Sequence, residues 1–279
     1  IKLLIHIHHA LYDAWSLELL LDDLNALLLG APLPSRPPFT NIVESYQNGT
    51  ISSDERCSKD YWRDHLALLD VAQVPNFHRR ESPPTSLAIE LVQTSLSTAD
   101  VEAASRHLSA SPQSLFQAAY ALVLSSYVGA SDICFGTVFS GRTLPIAGIE
   151  DIVGPCLATL PIRVDLSICA TLQGLVQELN STNRKHLEHS TLPLRDIKAT
   201  SGINPRQLLF DTLLIWQQTL HSYDHKREHV VLVDTVDNLE FNLTLEVIPS
   251  QGNIELRANY QQSLFPVSQI RILLAQVEQ

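Results

Sequence analysis

The residues best equipped for chemistry stand near the start of the chain, in His8-His9-Ala10-Leu11-Tyr12-Asp13-Ala14-Trp15. Imidazole is the side chain whose ordinary pKa lies nearest neutrality, so paired histidines suit proton transfer or polar steering. Asp13 follows after a short turn, where it can accept a hydrogen bond or pair with an arginine and so hold the turn in shape. The preceding run, Ile1-Lys2-Leu3-Leu4-Ile5-His6-Ile7, reads as a strand. Regular alternation places Leu3, Ile5, Ile7 and His9 on one face and Leu4, His6 and His8 on the other. His9 then enters a shielded site, while His8 faces the opposite packing layer. Paired histidines after a strand also serve as ordinary hydrogen-bonded structural residues, and spacing alone does not separate the two uses.

The elements that must position these groups are legible next. Ser16 reads as an N-cap. Leu17, Leu20, Leu21, Leu24, Leu27 and Leu28 form a helical stripe that Gly30 can close. Pro32 to Pro38 breaks the pattern. Helices follow near Thr40 to Asn48 and Asp54 to Leu69, the second burying Tyr61, Trp62, His65, Leu66 and Leu69. The proline-rich stretch Val74 to Ser86 reads as a linker. Beyond it come a strand at Leu87 to Ser95, a helix at Thr98 to Leu108, and a helix opened by Ser111-Pro112 and ended at Gly129. A strand at Ile133 to Phe139 leads into a loop from Ser140 to Pro155. A strand at Thr159 to Val164 and a helix at Leu172 to His189 come next. Strands near Leu209 to Gln217, Val230 to Val236, Leu239 to Ile248 and Ile254 to Tyr260 precede a closing helix at Pro266 to Gln279. Alternation of this kind suits an α/β sandwich.

Composition sets bounds. The 279 residues are 45% hydrophobic, enough for one large core or two modest ones. Nineteen Lys and Arg against thirty Asp and Glu give a formal charge of −11, which argues against a nucleic-acid partner. No apolar run reaches the ~18 residues that suggest a membrane span. Neither a signal peptide pattern nor a repeat period appears. Cys57, Cys134, Cys156 and Cys169 have no metal-type spacing and read as free thiols in a reducing, cytoplasmic setting.

Several motifs in order resemble one family. His8-His9-x-x-x-Asp13 is similar to the HHxxxDG signature of the condensation domains of nonribosomal peptide synthetases, with Ala14 where that pattern has glycine. Asp132 to Arg142, ending Ser140-Gly141-Arg142, resembles the family's D-x-x-x-G-x-x-x-S-G-R strand and turn. Gly148 to Pro155 with Thr159-Leu160-Pro161-Ile162-Arg163-Val164 resembles its G-x-E-x-x-V-G and T-L-P-x-R segments, with Ala158 in place of asparagine. Leu192-Pro193 and Asn204 to Asp211 are similar to later motifs. The wording of HHALYDAWS resembles fungal members.

That resemblance implies a two-lobed α/β sandwich of the chloramphenicol acetyltransferase type. Residues 1–80 would be the C-terminal part of an incomplete first lobe, and residues 81–279 the second lobe. It implies amide formation between two acyl groups, each held as a thioester on a carrier protein. His9 would be the catalytic residue, with His8 and Asp13 supporting and an arginine partner for Asp13 in the missing N-terminal part. Ser140, Gly141 and Arg142 would shape the substrate tunnel or the junction of the lobes. Trp216 and Gln217 would line the acceptor side or serve as ordinary core. The implied partners are an upstream donor and a downstream acceptor carrier domain, with a neighbouring adenylation domain. No metal or nucleotide is implied, and 4'-phosphopantetheine arms arrive on the carriers. The fungal flavour points to a siderophore-type peptide. An epimerisation domain shares the fold and the HHxxxD core and would draw on Glu150 or Asp151. A non-catalytic carrier-binding or scaffold module is the reading from another class.

Other constellations are weaker. His6 and His8 form an H-x-H pair with no evident third metal ligand. His221, His225 and His229 share a helical spacing inside a polar stretch that reads as a loop. Ser140-Gly141-Arg142 lacks nucleophile-elbow spacing, and no phosphate-binding glycine loop is present.

Overall fold

The structure, a computed structural model, describes residues 5–48, 54–77, 86–217 and 241–279, apart from the His9 side chain. The chain divides into two compact units. One comprises Ile1–Ser53, Phe139–Ala158 and Leu220–Asp237, and the other Asp54–Val138, Thr159–Thr219 and Asn238–Gln279. The lobe boundary expected at residue 80 lies among residues 78–85, outside the described residues, as do His221, His225, His229 and the strand expected at Val230 to Val236.

In the first unit, a 3-10 turn over His9–Leu11 leads into helix α1, Ala14–Leu28. The strand expected at Ile1 to Ile7 is not formed by residues 5–8. They carry no regular structure, and Ile5 and Ile7 are exposed alongside His6 and His8. A strand needs a hydrogen-bonded neighbour, and no strand of the described sheet pairs with this segment. The face alternation inferred from it therefore does not apply to these residues. The N-cap of α1 is Asp13, not Ser16: its carboxylate accepts the Ser16 N–H. Gly30 closes the helix in the left-handed region, where Ala31 N–H reaches Ala26 O at 2.9 Å. Helix α2 runs Thr40–Gln47. Ile42 packs in a small core with Ile149, Ile152 and Cys156, edged by Phe39, Leu144 and Ile146.

Among the described residues, the second unit holds a six-stranded sheet. Its strands are β1 (Leu87–Ser97), β2 (Asp132–Ser140), β3 (Leu157–Asp165), β4 (Thr212–Trp216), β5 (Leu243–Ser250) and β6 (Asn253–Gln261), in the order β1-β6-β5-β4-β2-β3. The last residues of β2 and the first of β3 belong to the first unit. The β2–β4 and β4–β5 pairs are parallel, while β5–β6 and β6–β1 are antiparallel. The sheet is mixed, in keeping with the α/β class read from the sequence. Its helices are α3 (Glu55–His65), α4 (Thr98–Leu108), α5 (Pro112–Val128), α6 (Leu172–Glu188), α7 (Leu194–Thr200) and α8 (Val267–Glu278).

Local chemistry explains the boundaries. Ser97, Ser111 and Thr171 each accept an N–H three residues on, and Pro112 supplies the fixed φ of a first helical position. Helix α3 stops at His65, short of the expected Leu69, because Leu66 caps it and Leu68 turns left-handed at φ 60°. Leu66 and Leu69 are nevertheless buried, as their spacing suggested. Helix α7 was not expected; it is short and opens at Pro193. Strand β4 begins only at Thr212. Asp211 before it is buried and accepts Val74 N–H at 3.0 Å and Asn242 Nδ2 at 3.1 Å, tying three segments together.

Candidate functional site

The histidine turn rests on short-range bonds. Leu11 N–H reaches His8 O at 2.9 Å. Ala10 N–H donates to His8 Nδ1 at 3.2 Å. His8 itself is exposed. His9 opens the 3-10 turn, and its side chain lies outside the described part of the structure.

Below the turn sits a buried ion pair. Asp13 and Arg142 are 5% and 7% exposed, far too little for either charge to be held by solvent. Arg142 Nη2 lies 2.9 Å from Asp13 Oδ1 and 3.1 Å from Oδ2. Asp13 Oδ1 also accepts Ser16 N–H at 2.7 Å and lies 2.6 Å from Ser16 Oγ, while Oδ2 accepts Cys156 N–H at 2.9 Å. Arg142 Nη1 donates to Ile149 O at 2.9 Å and Ile152 O at 3.0 Å. Both charges are thus paired and carry further hydrogen bonds, as a buried pair requires, while Arg142 Nε is buried without a hydrogen-bond partner. The arginine partner expected for Asp13 ahead of residue 1 is instead Arg142. The Asp13 oxygens are thus occupied by donors from α1 and from the 139–158 segment.

The glycines of the 139–158 segment allow this closure. Gly141 N–H reaches Cys156 O at 2.7 Å, and a Cβ on Gly141 would stand 3.1 Å from that oxygen. Gly154 has φ 155°, and a Cβ there would collide with the Phe39 ring. Trp15 adds a clasp: Nε1 donates to Glu150 O at 2.8 Å, and the ring lies 5.3 Å from the Arg142 guanidinium carbon. Ser140 accepts Arg142 N–H at 3.3 Å, so Ser140, Gly141 and Arg142 form the turn that aims the guanidinium at Asp13. Burial pushes the Cys156 thiol above its ordinary range, which disfavours a thiolate beside the pair.

Ala14 is the first residue of α1, exposed and without positive φ. Nothing at that position requires glycine. Ala14→Gly is expected to lower stability by no more than about 1 kcal/mol and to leave turnover unchanged, as thermal melts and rate measurements would show.

Trp216 and Gln217 diverge. Trp216 packs 5.6 Å from Phe116 of α5, on the helix-covered side of the sheet. Gln217 Nε2 donates to Glu246 Oε2 at 2.8 Å. Buried Glu246 is also held by Arg257 Nε at 3.1 Å and Asn259 Nδ2 at 2.7 Å, a polar group that sequence reading missed. A second missed cluster joins α3 and α6. His186, fully buried, stacks on Trp62 at 4.6 Å and meets His65 edge-on at 4.7 Å. Tyr61 stacks on His189 at 4.2 Å, and Ser58 Oγ lies 3.1 Å from His189 Nδ1. Burial, with the Arg163 guanidinium next in effect, pulls His65 down to about 4. Burial and then His65 hold His186 well below the ordinary range. Among the described residues, no group of three or more His, Cys, Asp or Glu is placed to hold a metal, and no helix is long and apolar enough to cross a membrane.

The family model described as "Condensation domain" matches residues 1–279. Nonribosomal peptide synthetase 2 of Cochliobolus heterostrophus is 38% identical over 100% of this chain and 5% of its own length. Nonribosomal peptide synthetase sidC of Arthroderma benhamiae is 39% identical over 99% of this chain and 5% of its own length. This chain thus spans about a twentieth of those relatives. The condensation domain from the monacolin K polyketide synthase MokA superposes with a TM-score of 0.75 at 16% identity, over 97% of this chain and 66% of that one.

Proposed function

The chain belongs to the condensation-domain family, and from that premise we propose that it forms peptide bonds between two carrier-bound acyl thioesters in a nonribosomal peptide synthetase. The acceptor amine attacks the donor thioester carbonyl, the carbonyl carbon becomes tetrahedral, and the donor thiolate leaves. His9 stands at the reacting centre, where it takes the amine's proton or orients the amine and steadies the developing charge. A free amine is already nucleophilic, so proximity contributes in either role. His8 and Asp13 support the turn. Ser140 and Gly141 shape its surroundings, and Gln217 belongs to the acceptor side of the second lobe, residues 81–279, while Trp216 packs against Phe116 as ordinary core.

The observation that supports this most is the buried Asp13–Arg142 pair under the turn that His9 opens. The pair ties the residues directly after that turn to the 139–158 segment. The partners are donor and acceptor carrier domains beside an adenylation domain, in the cytoplasm. The phosphopantetheine arms belong to the carriers, and the product is a siderophore-type peptide. Mass spectrometry of carrier-bound species tests the reading. Dipeptide on the downstream carrier is the expected result. Inversion of a single carrier-bound residue without a donor would instead establish the epimerisation reading.

A further inference from the structure

Ser16 is the hub of the buried network. Its side chain is fully buried, and its hydroxyl oxygen has four polar neighbours. Asp13 Oδ1 lies at 2.6 Å and Gly154 O at 2.7 Å, and the single hydroxyl proton serves one or the other. Gly154 N–H donates to Oγ at 2.9 Å and Arg142 Nη2 at 3.1 Å. One neutral group thus touches both charges of the ion pair and both ends of the Gly154 residue. Only one residue, Tyr12, separates the His9–Leu11 turn from the cap at Asp13. A shift of the first turn of α1 against the 139–158 segment is therefore carried directly into the histidine turn.

We propose that Ser16 is a positioning residue for the condensation centre, fixing the first turn of α1 to the Gly154 peptide and thereby the histidine turn. This rests on the reading that His9 stands at the reaction. The ion pair alone is weakly directional here, because one guanidinium nitrogen reaches both carboxylate oxygens instead of forming a two-nitrogen fork. The hydroxyl supplies the missing direction, since its lone pairs and proton demand a tetrahedral arrangement of neighbours.

The test is a matched pair, Ser16→Thr and Ser16→Val, in the intact protein that carries this chain. The two side chains share shape and steric cost and differ by the hydroxyl. Turnover is measured with loaded carriers well below each variant's melting temperature. The expected result is kcat roughly 10- to 100-fold lower in the valine variant than in the threonine variant, with KM for the carriers unchanged. Equal kcat in the two variants, whatever their melting temperatures, would overturn the proposal and leave the hydroxyl a purely structural group. So would a valine defect confined to KM. His9→Ala is run beside them. If it leaves the wild-type rate intact, the assignment of His9 fails and this proposal with it. If it abolishes turnover while valine and threonine match, only the proposal about Ser16 fails.

Discussion

Arg142→Ala is expected to destabilise the first unit by about 3–5 kcal/mol, the range for removing one partner of a buried pair. The loss has two parts. Asp13 keeps a charge that solvent does not reach, and the carbonyls of Ile149 and Ile152 lose their Nη1 donor. The 139–158 segment is then held to α1 chiefly by Ser16, Trp15 and the small core around Ile42 and Ile152. Asp13→Asn is expected to cost a similar amount, because Arg142 keeps a buried charge with no counter-ion and the amide NH2 faces donors, although the amide oxygen still accepts Ser16 N–H. The Asp13→Asn/Arg142→Ala double variant should lie closer to wild type than the sum of the single losses, because neither charge is left stranded. Urea denaturation of the four proteins measures all of this. Additive losses would mean that the pair acts as two independent groups.

Acidification is expected to weaken the second unit at the α3–α6 seam. His65 falls from the ordinary histidine value of 6.5 to about 4 on folding, and burial holds His186 well below that ordinary value. A depressed histidine pKa means that the unfolded chain binds the proton first. The stabilisation is therefore complete above 6.5 and is lost as pH falls from there toward 4. For His65 alone the loss reaches roughly 3 kcal/mol at the bottom of that window. The two imidazoles are 4.7 Å apart between ring centres, so charging one opposes charging the other. Arg163 and Lys185 add to the opposition, and Asp132 offsets part of it. Asp211 acts in the reverse sense: burial raises its pKa, which penalises it at neutral pH and relieves it in acid. Denaturation midpoints at pH 7 and pH 4.5 give the total. In His65→Phe the drop between them should shrink. An unchanged drop would place the acid sensitivity elsewhere.

Much of the fold could be read from local rules. Helices α4 and α5 fall where serine caps, proline and glycine punctuation put them, because caps act over three or four residues. The strand at Ile1 to Ile7 was read from an apolar run alone, and alternation says nothing of whether a neighbouring strand exists to pair with residues 5–8. Ser16 has the residue type of a cap, but Asp13 takes that role because its carboxylate also answers Arg142 and Cys156, partners 129 and 143 residues away. Those separations are why the site was only half legible. Both charges lie in motif segments of the resembled family, yet no spacing rule joins them. The His65–His186 contact and the Glu246–Arg257 pair were likewise hidden, being made by tertiary packing and strand register.

The most direct measurement is dipeptide formation by the intact protein from two loaded carriers, wild type against His9→Ala, with the carrier-bound product weighed by mass spectrometry. Dipeptide on the downstream carrier in the wild type, falling roughly 10²- to 10⁴-fold in the variant if His9 moves the proton, is the expected result. Equal dipeptide from both proteins would contradict the placement of His9 at the reaction, and none from either would contradict condensation itself.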